Sequence, residues 1–448
     1  MIGKEDALKV LEKVVSFAKG FELEASLSVE DLSLTRFYGN HIHQNLRRQD
    51  HILTVRAVKS RKAGVSQVNL LDDGSLRWAV SSALENAELA GEESDFRGLP
   101  KPRPLAEISS YVPATAGMKP ADRASACGVV ISLAKSKGLE AAGSFATGTH
   151  EIAVASTAGV RAYHGSTEGF FRTIVQSGAN TGYADRLTRD VREIDFDQVA
   201  REATDKATLY PNAKDLPPGR YDTIFLEYAL ADLVRFLGLY SFGAEAKQQG
   251  RSFMADKMGR KVMGDNITIW DDGLDVRGLD VPFDLEGMPK KKVVFIDKGI
   301  ASGVVYDTRT AVKDGVETTG HAGGQMRGYY GLVPSNMFMA EGHESLEEMI
   351  ASTKKGLLVT RFHYTHCPDP SNVVATGTTR DGTFLIEDGH LVARVKNLRF
   401  TESMVEAFGR VESISKSSRL TRDWWSTFSS VLPAVKIKDF TFTGATAF

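Results

Sequence analysis

The first half of the 448-residue chain carries one pattern twice, and that repetition limits what it can fold into. Ala7, Leu8, Leu11, Val14, Val15 and Ala18 recur at i, i+3, i+4 and i+7, which predicts an amphipathic helix over 4–19 closed by Gly20. Strand patterns follow at 22–29, 32–38 and 51–58, with Gly39-Asn40 as a turn before the short stretch 41–46. Asp73-Gly74 leads into a second helix with Leu76, Val80, Ala83, Leu84 and Ala87 on one face. About 120 residues later the order returns, as expected of a duplicated unit. A helix is predicted over 121–136, strands near 139–146, 150–156, 160–164 and 170–177, and a helix over 196–209. Local sequence agrees, since 21–25 matches 139–141 and 85–89 matches 205–209. Neither unit alone buries enough apolar surface to be stable, so the two are expected to share one sheet or to pack sheet against helices. The Pro-containing stretch 99–120 reads as their link.

Three prolines within 211–219 mark the expected domain boundary, dividing the chain into 1–215 and 216–448. Beyond it, helices are predicted at 227–240, 245–260 and 345–355. Strands are predicted at 220–226, 266–271, 292–297, 357–364, 373–379, 382–387 and 390–395. Asp388-Gly389, between the last two, suits a type I′ hairpin turn. The expected fold class is α+β: a duplicated helix–strands–helix unit, then a strand-rich domain with a curved, mainly antiparallel sheet.

A net charge of -2 with both signs interspersed gives no basic stripe that would release counterions from phosphates, which argues against nucleic-acid binding. Cys127 and Cys367 are the only cysteines, too few to staple a secreted fold, so a reducing compartment is the simpler expectation. Lys and Glu interrupt the first 20 residues, unlike a signal peptide, and no apolar run has membrane-spanning length. A soluble, cytoplasmic protein is expected.

Three metal-capable side chains, His363, His366 and Cys367, fall within five residues. On an extended strand His363 and Cys367 share a face and His366 points away, so a common ion would need a bend, for which Pro368 is placed. The competing reading is a strand end with one buried cysteine and ordinary histidines. His41 and His43 would share a strand face, but no third ligand stands nearby, and solvated histidines are expected. The glycine-rich segment 320–331, with Arg327, lacks the strand-before and helix-after of a phosphate cradle and reads as a turn or a loop over a chamber. Trp424-Trp425 fits either a core or an exposed patch for a partner.

Several runs together resemble the TldD/PmbA family: 39–44 (GNHIHQ), 318–324 (TTGHAGG), 334–338 (PSNMF), 346–358 (LEEMIASTKKGLL), and 382–395 followed by Lys396-Asn397-Leu398. Peptidases of the family resemble zinc enzymes with HExxxH at the start of a helix after a strand, where two imidazoles hold one ion and the glutamate activates its water. Here the corresponding segment has Leu226 and Ala231 at the two histidine positions and keeps only Glu227. The comparable C-terminal region, 424–438, has no cysteine to serve as a third ligand. The resemblance is therefore to the TldE (PmbA) side of the family. It implies a non-catalytic subunit with no cofactor of its own, zinc being held by a TldD-like partner, and a joint peptidase acting on unfolded peptides, for example in leader removal. Glu227 would be a relic carboxylate or simply an acidic residue favoured by a helix dipole. Two other readings stay open: an active homodimeric metallopeptidase using His363, His366 and Cys367, and a non-proteolytic regulator of proteins such as gyrase.

Overall fold

The computed structural model describes residues 1–323, 331–423, 425 and 428–446. The duplicated half forms α1 (Lys4–Ser16), β1 (Glu22–Tyr38), β2 (His41–Lys59), β3 (Lys62–Val68) and α2 (Asp73–Leu89). After the single turn α3 (Pro113–Ala116) the unit repeats as α4 (Pro120–Ser136), β4 (Glu140–Ser156), β5 (Arg161–Ser177), β6 (Asn180–Thr188) and α5 (Phe196–Thr208). The six strands make one antiparallel sheet in the order β3-β2-β1-β4-β5-β6, so the two units meet at β1 and β4. Asp31 pairs with Thr149 within that ladder, and these residues are as far apart in sequence as Glu22 and Glu140, which open the two strands. That coincidence makes the ladder a local two-fold between the repeats.

One face of this sheet is apolar. Leu23, Ala25 and Leu27 pack beneath α1 and α2, while Phe145 and Phe171 pack beneath α4 and α5 with their rings edge to face at 5.5 Å. Asp72 and Asp195 cap α2 and α5 by accepting from Ser75 N (3.1 Å) and Gln198 N (2.8 Å). The other face carries Glu24, Ser26 and Arg56, and Arg56 pairs across to Glu286 at 3.2 Å.

The remaining strands are β7 (Gly219–Phe225), β8 (Ile269–Asp271), β9 (Val293–Asp297), β10 (Ile300–Ala301), β11 (Asn336–Met339) and β12 (Lys355–Asp369). They continue with β13 (Val374–Glu387), β14 (His390–Arg394), β15 (Leu398–Ser403), β16 (Val411–Arg422) and β17 (Ser429–Ala445). Together these form an eleven-stranded sheet in which β7, β12, β13, β15 and β17 close on themselves, because β17 pairs with both β15 and β7. Phe225, Phe362, Phe400 and Phe440 fill the ring with centroids 4.5 to 5.6 Å apart. Helix α6 (Glu227–Tyr240) follows β7 directly and is buried from Tyr228 to Leu239, packed on β12 and β17. The protein is thus an α+β fold with two sheets. Arg422 clamps them by donating two bonds to Glu168 (2.7 and 2.5 Å), as does Arg189 to Asp280 (3.1 and 3.0 Å).

The structure differs from the sequence-based expectation in three ways. Short predicted strands fuse: 22–29 with 32–38, 139–146 with 150–156, 160–164 with 170–177, and 373–379 with 382–387. The polar residues that break the alternation have cross-strand partners, as Asp31 has in Arg47 (2.6 and 2.7 Å), so the ladder runs on. The predicted helix over 245–260 shrinks to Ala244–Gln248, since Gly250 and Gly259 take positive φ of 69° and 75°. Strands β3, β6, β10, β11, β15, β16 and β17 were not anticipated. The turns at Gly39-Asn40 and Asp388-Gly389 form as expected, with positive φ at all four residues.

Candidate functional site

The structure brings two chemically different regions to the boundary between the sheets. The first is the start of α6. Leu226 occupies the N-cap position, offers no side-chain cap, and packs with Tyr183, Ile224, Leu358 and Phe384. Ala231 lies in the main C-terminal core with Leu230 and Val234. Both are buried, at 7% and 2% exposed, and neither has a lone pair for a cation. A zinc ion therefore does not fit the residues present at this position. Glu227, half-buried, sits in the first helical turn.

Next to it, Tyr228 organises a buried polar network that joins α6 to the N-terminal sheet. Its hydroxyl donates to Glu202 (2.9 Å) and accepts from Arg186 (3.3 Å) and Arg419. Its ring lies edge to face with Tyr183 at 5.2 Å. Lys206 pairs with Glu202 at 2.8 Å. Burial would raise the Glu202 carboxyl, yet Lys206, Arg419 and Arg186 hold it far below the usual range.

The second region is a cavity of about 620 Å³ between the polar face of the N-terminal sheet and loops of the C-terminal sheet. Its wall carries Asp284, Glu286, Lys290, His321 and Ser335. His321 is fully buried: Nε2 meets Asp271 Oδ1 at 2.8 Å, and Nδ1 lies 2.9 Å from both the Thr319 hydroxyl and the Thr319 carbonyl oxygen. Asp271 Oδ2 accepts from the backbone of Ser335 and Asn336, both at 2.6 Å, which ties the end of β8 to the start of β11. Lys290 Nζ donates to Ser335 Oγ at 2.7 Å. Burial would raise the Asp271 carboxyl, but His321 and Lys290 hold it below the ordinary range. Burial, with the Lys290 charge, lowers His321. Burial and the neighbouring Glu286 push Asp284 up to about 8. Sequence reasoning missed this cluster as chemistry. Its histidine and serine lie in the runs 318–324 and 334–338, which stood out only as family resemblance.

His363, His366 and Cys367 lie on β12 where its register with β13 shifts twice and Tyr364 takes a positive φ of 54°. His366 is exposed, while Cys367 packs against the core and donates to Asp369 O at 3.5 Å. Burial raises the Cys367 thiol to about 12. Among the described residues no group of three or more His, Cys, Asp or Glu side chains is arranged to hold a metal ion. The kink thus does not draw these three residues together. His41 and His43 are exposed at the start of β2. Arg327 and Trp424 lie outside the described residues, and Trp425 is 51% exposed, its ring 6.4 Å from that of Tyr364.

Residues 218–444 match a family profile described as the PmbA/TldA metallopeptidase C-terminal domain. The chain belongs to the TldD/PmbA family. Among its relatives is the metalloprotease TldD homolog of Buchnera aphidicola, 25% identical over 251 residues that cover 54% of this chain and 51% of that one. The chain spans about half the length, or less, of the curated relatives it matches. Structural likeness extends further. TldE from Thermococcus kodakarensis superposes with a TM-score of 0.85 at 21% identity, covering 98% of this chain and 99% of that one. A candidate modulator of a DNA gyrase from Thermotoga maritima gives 0.86 at 17% identity, covering 97% and 99%. These likenesses establish a TldE-like fold across both sheets. No helix among the described residues is long and apolar enough to cross a membrane.

Proposed function

We propose that this chain is the non-catalytic, TldE-like subunit of a zinc-dependent peptidase that acts on unfolded peptides, the metal being held by a TldD-like partner. The observation that carries the reading is the start of α6. The strand–helix junction of a metallopeptidase is kept, but both ligand positions are filled by buried aliphatic groups, Leu226 and Ala231. Glu227 has no metal-bound water to activate there. The Tyr228 network supports a structural role for the junction, because its charges are committed to one another. The partner's zinc would supply Lewis-acid and water-activating chemistry; this chain would shape the chamber and hold the peptide.

The test is to purify the chain alone and together with a TldD-like protein that carries HExxxH, then to measure metal content and cleavage of an unfolded peptide. The expected result is cleavage by the mixture that exceeds either component, with no stoichiometric zinc on this chain. Stoichiometric zinc on the isolated chain that disappears on His366→Ala would overturn the reading in favour of an active site on β12.

A further inference from the structure

A second cavity, of about 320 Å³, opens on the polar face of the N-terminal sheet and is lined by Arg36, Tyr38, His43, Ser144, Arg172 and Tyr183 among others. No acidic side chain is among the described residues lining it. The strand register explains its charge. Arg36 on β1 stands opposite Ser144 on β4, Ser144 opposite Arg172 on β5, and Arg172 opposite Asp185 on β6, so two guanidiniums flank one serine in a row that ends, beyond the cavity lining, on a carboxylate bonded to Tyr183. Two strand spacings put their backbones roughly 10 Å apart, a gap that two arginine side chains can close around one small anion. Arg172 Nε donates to Ser144 Oγ at 3.3 Å, and Arg36 Nη1 donates to the neutral Gln44 amide at 3.4 Å.

The cavity also has a place in the larger assembly of elements. Tyr183, on its wall, is the ring that meets Tyr228 in the first turn of α6. Tyr38, 66% exposed, adds an aromatic face beside the arginines. Tyr183 thus stands between the cavity and the strand–helix junction.

We propose that this cavity is a carboxylate-binding site, through which the chain holds an acidic side chain or the C-terminal carboxylate of a polypeptide. The choice of a polypeptide rests on the proposed role as a peptidase subunit; the choice of an anion rests on the arginine row alone. Paired guanidiniums recognise a planar carboxylate by parallel N–H bonds that a lysine does not reproduce.

The test uses the full-length chain without any partner. Fluorescence anisotropy is measured with a labelled unstructured peptide containing one central Glu, with the same peptide carrying Gln, and with a version ending in an amide. We expect the Glu peptide to bind about tenfold more tightly than its Gln counterpart, a difference of about 1.4 kcal/mol. Arg36→Gln should abolish that preference, and Arg36→Lys should restore only part of it. Arg36 is exposed, so an unchanged thermal melt of Arg36→Gln confirms that the variant is folded. Equal affinity for the Glu and Gln peptides, or a preference that survives Arg36→Gln, overturns the proposal. Inorganic phosphate binding more tightly than the Glu peptide overturns the carboxylate assignment. Discrimination by the isolated chain without any gain of cleavage in the mixture would leave this site standing and remove the peptidase-subunit reading.

Discussion

The start of α6 and the cavity around His321 both lie where the two sheets meet, yet they are built in opposite ways. At the start of α6 the buried side chains at 226 and 231 are aliphatic, and the polar network is built on Tyr228. Around His321 the residue types of catalysis are gathered, Asp, His, Lys and Ser within hydrogen-bond reach, but the ring nitrogens of His321 and both oxygens of Asp271 bond to other protein groups. Chemistry-bearing residues are thus gathered at one place on the boundary and aliphatic ones at the other. With Nε2–H donating to Asp271 and the Nδ1 lone pair accepting from the Thr319 hydroxyl, the neutral ring of His321, together with Asp271, ties three segments of chain together.

Breaking the His321 cluster should have the largest effect. Asp271→Ala removes the carboxylate that does most to favour the charge on buried Lys290 and leaves two backbone N–H groups unpaired, so a loss of about 3 to 5 kcal/mol is expected in denaturant unfolding. A loss below about 1 kcal/mol would mean that the cluster is not structural, and would return it to consideration as an active site.

The clamp between the sheets gives the next effect. Burial would raise the Glu168 carboxyl, but the Arg422 charge and hydrogen bonds bring it down to about 2 from an ordinary 4.5. Its stabilisation is therefore complete above the unfolded value and is lost as pH falls from about 4.5 to about 2, by about 3 kcal/mol. Arg422→Met should flatten that part of the stability–pH curve; an unchanged curve would assign the acid sensitivity to other carboxylates.

At α6 smaller changes are expected. Tyr228→Phe removes the hydroxyl shared by Glu202, Arg186 and Arg419 and should cost about 1 to 2 kcal/mol, read from the shift of the urea midpoint. Glu227→Gln should change stability by less than about 0.5 kcal/mol and leave cleavage by a mixture with a TldD-like protein unaltered. Loss of that cleavage would give the carboxylate a catalytic part and end the contrast between the two regions.

Much of the fold was legible because it is periodic. The helices at 4–16, 120–136, 196–208 and 227–240 follow from apolar spacing, and the Gly39-Asn40 and Asp388-Gly389 turns from residues that tolerate positive φ. The long strands were cut into pieces because residues such as Asp31 interrupt the alternation, and only the partner strand shows that Arg47 continues the ladder. Strands β16 and β17 escaped because their polar residues have partners distant in sequence, as Arg422 has in Glu168.

The sequence by itself determined the duplication, the helix–strand periodicity and the absence of imidazoles at 226 and 231, all of which depend on residue type and local spacing. Tertiary structure alone decided that the repeats share a sheet through β1 and β4, and that β17 closes a ring onto β7. It also decided that Arg36 and Arg172 stand in one row and that His321 is bound to Asp271. The physical reason is that strand register and side-chain pairing are set by contacts between segments far apart in the chain, which local pattern does not encode.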